Sequence, residues 1–219
     1  MAISVKDIID NKVYLGTLKN DAHPKTNKNW SGIRNNMVVL DPEIIAEKLQ
    51  KAKDRVAGLL KDKKTVLIVC EKKMYADEIE KISEQAKVSF LNYKVPAGFL
   101  TNFDTLKKRI QSMNDMIVFM KWDEFNALTK KEQVIYKRKL ERIKKVYKWV
   151  KDMLWKPDLV IVVWGSMLNN FIEELKKTKV NNIVISSSNF KNRWNEDSLI
   201  IANTESYKSL DFIIKTLLS

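Results

Sequence analysis

The sequence predicts an α/β fold: a doubly wound, mainly parallel sheet of the Rossmann or flavodoxin-like kind, carrying an inserted antiparallel coiled-coil α-hairpin. Three observations carry this. Apolar runs such as Val66-Leu67-Ile68-Val69 and Leu159-Val160-Ile161-Val162-Val163 are too continuous for strands with one wet face and fit strands covered on both sides. Segments with helical period alternate with those runs, as a doubly wound sheet requires. Between residues 102 and 154 the alternation gives way to two narrow-striped helices in succession.

Taken in order, Met37 to Leu40 reads as the first strand, and Asp41-Pro42 opens a helix to Leu60, with Asp as N-cap and Pro at the first helical position. Thr65 to Cys70 is a strand, Tyr75 to Gln85 a helix and Val88 to Leu91 a strand. Gly98 then permits a backbone bend, and Thr101 with Asp104 forms an N-cap pair for a helix beginning near Asn102. Phe103, Leu106, Ile110 and Met113 make one apolar stripe along it, while Lys107, Lys108 and Arg109 crowd onto the other faces. A turn from Asp115 to Asn126 leads to the capping box Thr129-Lys130-Lys131-Glu132, after which Tyr136, Leu140, Ile143, Tyr147, Val150 and Leu154 form a seam for one partner helix. Strand Leu159 to Val163, helix Asn169 to Lys177, strands Ile183 to Ile185 and Leu199 to Ile201, and a helix from Glu205 to Leu218 complete the chain. The 219 residues are read as one domain, with a basic N-terminal extension over residues 1–36 and the hairpin over 102–154.

Charge narrows the function classes. Forty Lys and Arg face 27 Asp and Glu, giving a net charge of +13 and a pI near 9.6, which favours a polyanionic partner, nucleic acid or an anionic membrane. Part of the lysine content is what an AT-rich genome would produce. The outer face of the second hairpin helix carries Lys130, Lys131, Lys137, Arg138, Lys139, Arg142, Lys144, Lys145, Lys148 and Lys151 against Glu132, Glu141 and Asp152. That self-repulsion calls for a polyanion. Residues 19–34 add Lys25, Lys28 and Arg34 among Asn27, Asn29 and Trp30, without helical or strand period; Trp30 serves either as a stacking face for RNA or as a core anchor.

No catalytic set converges, and neither a metal nor a cofactor is expected. The five glycines, at 16, 32, 58, 98 and 165, assemble no dinucleotide or Walker loop, and the strand ending at Cys70 runs into Glu71-Lys72-Lys73-Met74 where such a loop would stand. Gly165-Ser166 lacks the second glycine of a nucleophile elbow and reads as a turn. His23 reads as a loop residue, Cys70 as a small core residue, and the pairs Asp123-Glu124 and Glu173-Glu174 as solvated charges. A lone cysteine excludes an internal disulfide and points to a reducing compartment. The N-terminal ten residues lack signal- or transit-peptide character and no run is long enough to span a bilayer, so a soluble protein is expected. Two other classes stay open on the residues alone: a nucleotide- or small-molecule-binding α/β enzyme, and a basic peripheral membrane protein.

The string Ala97-Gly98-Phe99-Leu100-Thr101-Asn102-Phe103-Asp104-Thr105-Leu106-Lys107-Lys108-Arg109-Ile110 resembles the Gly-Gly-Met-Leu-Thr-Asn-Phe-x-Thr-Ile-x-x-Arg-Ile signature of the bacterial small-subunit ribosomal protein conventionally numbered two. The likeness runs over nearly the whole chain. Pro24-Lys25, Arg34-Asn35 and Leu40-Asp41 stand where that family has Asn-Pro-Lys, Arg-Asn-Gly and Ile-Asp, and Lys64 to Val69 with Lys72-Lys73 is similar to its Lys-Val-Leu-Phe-Val-Gly-Thr-Lys-Lys. Phe90-Leu91-Asn92, Leu128-Thr129-Lys130-Lys131-Glu132 and Lys156-Pro157-Asp158 resemble its Tyr-Val-Asn, Leu-Pro-Lys-Lys-Glu and Leu-Pro-Asp. The chain departs at Tyr14-Leu15-Gly16-Thr17, Ala22-His23-Pro24 and Lys94-Val95-Pro96-Ala97-Gly98, where the family has His-Phe-Gly-His, Trp-Asn-Pro and Arg-Trp-Leu-Gly-Gly, as a divergent member would. The hairpin is similar to the bacterial and organellar branch.

The resemblance implies a structural, non-enzymatic constituent of the small ribosomal subunit, located on the ribosome in a bacterial cytoplasm or organelle matrix. Its implied partners are small-subunit ribosomal RNA and neighbouring small-subunit proteins, with no membrane and no homo-oligomer. The residues expected to bind RNA are Lys25, Lys28, Arg34, Lys72, Lys73, Lys94, Thr101, Asn102, Lys107, Lys108 and Arg109.

Overall fold

A computed structural model describes residues 3–151, 153 and 155–219. Its centre is a five-stranded, all-parallel sheet built from β4 (Val66–Val69), β5 (Ser89–Leu91), β6 (Leu159–Val163), β7 (Asn181–Ser186) and β8 (Leu199–Ile201), in the spatial order β5-β4-β6-β7-β8. Every residue of β4 and β6 is buried, which is why those runs read as continuous apolar sequence. The chain moves one way from β4 to β5 through α3 (Ala76–Ala86) and the other way from β6 to β7 through α7 (Asn169–Thr178). Right-handed crossovers therefore place α3 and α7 on opposite faces. On the α3 side it packs with α8 (Tyr207–Leu218) and α2 (Pro42–Lys61); on the other, Phe99 meets Phe103 and Phe171 of α7.

The N-terminal segment has more regular structure than its want of helical or strand period over residues 19–34 suggests. A helix α1 (Val5–Asp10), capped reciprocally by Ser4 and Asp7, precedes β1 (Leu15–Leu18), and a 3-10 turn over Pro24–Asn29 leads into β2 (Trp30–Arg34). With β3 (Met37–Leu40) these strands form a separate antiparallel sheet, order β1-β3-β2. Met37 to Leu40 is thus a strand, but of this small sheet. Asn35 and Asn36 join β2 to β3 with φ of 48° and 60°, the left-handed pair of a two-residue hairpin turn, and a turn that short makes its strands antiparallel.

The inserted hairpin consists of α4 (Phe103–Phe119), the short α5 (Asp123–Ala127) and α6 (Lys130–Tyr147). Phe119 meets Tyr136 at 5.4 Å between ring centroids, while Arg109 shares a cleft with Ile143 and Tyr147. Position rises on one helix as it falls on the other, so the two run antiparallel. Phe103, Leu106, Ile110, Met113 and Met116 are buried along α4, and Leu140 and Tyr147 along α6. The turn is shorter than the expected span from Asp115 to Asn126, because Met116 is still buried in the seam and holds the helix to Phe119. Phe125 plugs the tip against Phe119 and Tyr136, and Gln133 Nε2 donates to the carbonyls of Phe125 and Leu128. At the base α6 gives way to a 3-10 turn, Lys148–Val150, whose Trp149 stacks on Phe90 of β5 at 4.7 Å. Leu154, the expected end of the seam, and Asp152 lie outside the described residues.

Candidate nucleic-acid interface

The signature segment is held by a single carboxylate. Glu174 of α7 accepts from the amides of Gly98 at 2.6 Å and Leu100 at 3.0 Å, with Thr101 at 3.5 Å. Glu174 is therefore a built-in anion in a nest of backbone donors, not the solvated charge expected from its place beside Glu173. Gly98 has φ +80°, a conformation a side chain would strain. The N-cap of α4 is Asn102, whose Oδ1 accepts from the Thr105 hydroxyl; the expected Thr101–Asp104 pair does not form, because Thr101 still lies in the turn that the Asn102 amide closes on the Gly98 carbonyl and the helix starts only at Phe103. Thr101 and Asn102 are left exposed at the head of the helix, followed by exposed Lys108 and Arg109. Lys107 is half-buried, its ammonium 5.1 Å from the ring centre of Trp155. One turn further, Arg109 of α4 and Arg142 of α6 face one another across a cleft of about 340 Å³ floored by Tyr147. Arg142 belongs with Arg109 although the sequence placed it only on a general basic face; no local pattern pairs positions on two helices.

Lys72, Lys73 and Lys94 follow the carboxyl ends of β4 and β5. Their fates differ. Lys73 and Lys94 are exposed, and the loops bearing them are tied by a 2.6 Å bond from the Val95 amide to Glu71 Oε1. Lys72 is 5% exposed, ion-paired to Glu205, with its ammonium 4.5 Å from the centre of the Trp164 ring. It is not available to a phosphate, which corrects its place among the expected contacts; burial and an internal partner remove it. Lys72 and Trp164 follow β4 and β6, the neighbouring strands whose carboxyl ends make the switch point where open α/β sheets bind ligands. The neighbouring Gly165 is a packing position, since a Cβ there would lie 2.7 Å from Val184 Cγ1.

Lys25, Lys28 and Arg34 are exposed on the N-terminal unit, which docks on the β7–β8 connection. His23 N–H donates to the Ser188 carbonyl, Thr26 Oγ1 donates to the same carbonyl, and Trp30 Nε1 donates to Thr26 Oγ1. Trp30 is thus half-buried with its polar edge satisfied, nearer the anchor than the free stacking face. His23 caps its turn through Nδ1, which accepts from the Lys25 amide. Lys25 Nζ donates to the Lys191 carbonyl, and Lys28 pairs with Glu196 at 2.8 Å, a hydrogen bond and charge that push the Lys28 pKa up. Both partners are largely exposed, so the pair adds little stability. Arg34 ends β2 beside the Asn35-Asn36 turn.

The expected contacts thus fall on three surfaces: the signature loop with the hairpin base, the carboxyl ends of β4 and β5, and the N-terminal sheet. Among the described residues no group of three or more His, Cys, Asp or Glu is placed to hold a metal, and no helix is long and apolar enough to cross a membrane.

The family model described as ribosomal protein S2 matches residues 8–219. The small ribosomal subunit protein uS2 of Coprothermobacter proteolyticus is 29% identical over 187 residues, covering 85% of this chain and 70% of that protein. The small ribosomal subunit protein uS2c of Mesostigma viride is 26% identical over 216 residues, covering 99% and 94%. The uS2 protein of Nitratiruptor sp. is 27% identical over 161 residues, covering 74% and 60%.

Proposed function

The chain belongs to the ribosomal protein S2 family, and on that premise we propose that it is a structural constituent of the small ribosomal subunit, binding ribosomal RNA through its basic surfaces and catalysing no reaction. Its place is the ribosome, among neighbouring small-subunit proteins, with neither a membrane nor a second copy of itself as partner. The observation that carries the RNA reading is the charge of the hairpin. Of the acids on α6, Glu132 is spent on the capping box and Glu141 on Lys144, leaving Lys130, Lys131, Lys137, Arg138, Lys139, Arg142 and Lys145 without an ion pair among the described residues. Such a face is stable beside phosphates, which the side chains neutralise with release of bound counterions.

The eleven expected contacts reduce to ten. Lys73, Lys94, Thr101, Asn102, Lys107, Lys108 and Arg109 face RNA at the carboxyl ends of β4 and β5 and the hairpin base, with Lys25, Lys28 and Arg34 as a separate patch. At the switch point where enzymes on such sheets bind their ligands, Lys72 is instead paired with Glu205 and lies over Trp164. Sedimentation of cell extract in low magnesium, where ribosomal subunits separate, tests the proposal. The protein is expected in the small-subunit fractions, and its recovery only at the top of the gradient would overturn the reading.

A further inference from the structure

Beside the amino end of β7, separate from the three basic surfaces above, lies a cleft of about 630 Å³. Arg55 of α2, Lys176 and Lys179 at the end of α7, Arg193 ahead of β8, and the side chains of Trp194 and Asn182 line it, and no acidic residue does. Of the nearby carboxylates, Glu173 pairs with the cleft's own Lys176 and Glu196 with Lys28 of the N-terminal unit. Arg55, Lys179 and Arg193 have no ion pair among the described residues.

Two of the groups are held in place. Arg55 donates to the Asn182 carbonyl at 3.4 Å and to Asn181 Oδ1 at 3.3 Å, which orients its guanidinium while leaving other N–H groups unused. Trp194 Nε1 donates to Asn182 Oδ1 at 3.0 Å, so the half-buried indole has its polar edge satisfied and presents a fixed ring to the cleft, with the Lys176 ammonium 6.0 Å from its centre. Lysines at a helix C-terminus offset the helix dipole, which accounts for Lys176. It does not account for Arg55 and Arg193, which arrive from other elements.

We propose that this cleft binds a single-stranded segment of RNA, with one base stacked on Trp194 and the flanking phosphates held by Arg55, Lys179 and Arg193. A fixed aromatic face ringed by cations is the arrangement that holds unpaired nucleotides with little regard to sequence. The inference rests on the ribosomal reading and adds a further RNA contact beside the amino end of β7, apart from the hairpin base and the carboxyl ends of β4 and β5.

The test uses the full-length protein and a labelled hexa-adenylate, followed by fluorescence anisotropy over a range of salt. The Arg55→Gln, Arg193→Gln double variant is expected to lose about tenfold in affinity, and its log–log salt slope to shrink by about 1.4, two phosphate contacts at roughly 0.7 each on a single strand. Trp194→Leu should lose about fivefold or more. Lys6→Gln with Lys208→Gln, two exposed cations of α1 and α8 outside every basic surface described above, should leave hexa-adenylate binding near wild type. Unchanged binding by the double variant overturns the proposal. So does displacement of the oligonucleotide by poly-glutamate as readily as by unlabelled RNA, which would mark a general polyanion surface. If the double variant unfolds, as a melting curve would reveal, the single change at exposed Arg193 carries the test. A protein that enters small subunits while the cleft variants bind normally refutes the cleft alone; a protein absent from subunits whose cleft variants lose binding refutes the ribosomal reading alone.

Discussion

Removing the carboxylate of Glu174 should loosen the signature loop without touching the core. In the native protein its two oxygens accept from the amides of Gly98 at 2.6 Å and Leu100 at 3.0 Å, and the Thr101 amide at 3.5 Å is too long to count. Hydrogen bonds to a charged group contribute about 1.5–3 kcal/mol each, so two would give about 3–6 kcal/mol if fully buried. Glu174 is only half-buried, and water can replace part of what is lost, which brings the expected cost of Glu174→Ala to about 2–3 kcal/mol. For a domain of this size that corresponds to a fall of about 4–12 °C in Tm. Glu174→Gln keeps one acceptor oxygen, opposes the second amide with its own N–H groups, and should lose about half as much. Calorimetry measures the Tm, and hydrogen exchange at the Gly98 and Leu100 amides localises the change. Exchange at both amides as slow in Glu174→Ala as in wild type would refute the assignment of Glu174 as the group that holds the loop.

Four further outcomes are expected. Lys72→Gln should leave RNA affinity unchanged while Lys73→Gln weakens it and reduces the salt slope by about 0.7–0.9, measured by filter binding. Gly165→Ala should destabilise the fold by about 1–3 kcal/mol in urea titration, because the added methyl meets Val184 at the sheet surface. The Thr129 hydroxyl and amide bonds hold the Glu132 pKa below the usual glutamate value, so this carboxylate adds to hairpin stability above the unfolded glutamate pKa, and the contribution is lost as pH falls through the lower folded value. Amide exchange in the first turn of α6 should accelerate in that acid window and lose this dependence in Glu132→Ala. Burial pushes the Cys70 thiol up to about 11, so a thiol reagent at pH 8 should label it only on unfolding.

Strands buried on both faces announce themselves as unbroken apolar runs, and the two hairpin helices announce themselves by stripe spacing; β6 and β8 begin and end where the sequence placed them. The N-terminal unit did not. β1 is short and half-buried and β2 short and exposed, the turn after β2 uses two asparagines where glycine is the commoner signal, and Thr17 and Thr26 bond Ser188, more than 160 residues away. Among site residues, Lys73, Lys94, Lys108 and Arg109 are where a basic flank would put them, on the surface. Lys72 sits next to Lys73 in sequence and is lost to the interior, because its partners, Trp164 and Glu205, come from loops after β6 and β8.

What local sequence decides here is the alternation of buried strands and helices, the basic hairpin and the want of a phosphate loop, since each depends on neighbours within one or two turns of chain. The signature segment is a case where local reading stops short. Its glycine and its basic flank are visible in the letters, yet the loop is shaped by Glu174, over seventy residues distant, and the basic cleft beside the amino end of β7 draws Arg55, Lys179, Arg193 and Trp194 from three separate stretches. Only packing brings such groups within bonding distance, because a parallel sheet orders its strands by crossover and not by sequence, and the side chains that meet at its ends are neighbours in space alone.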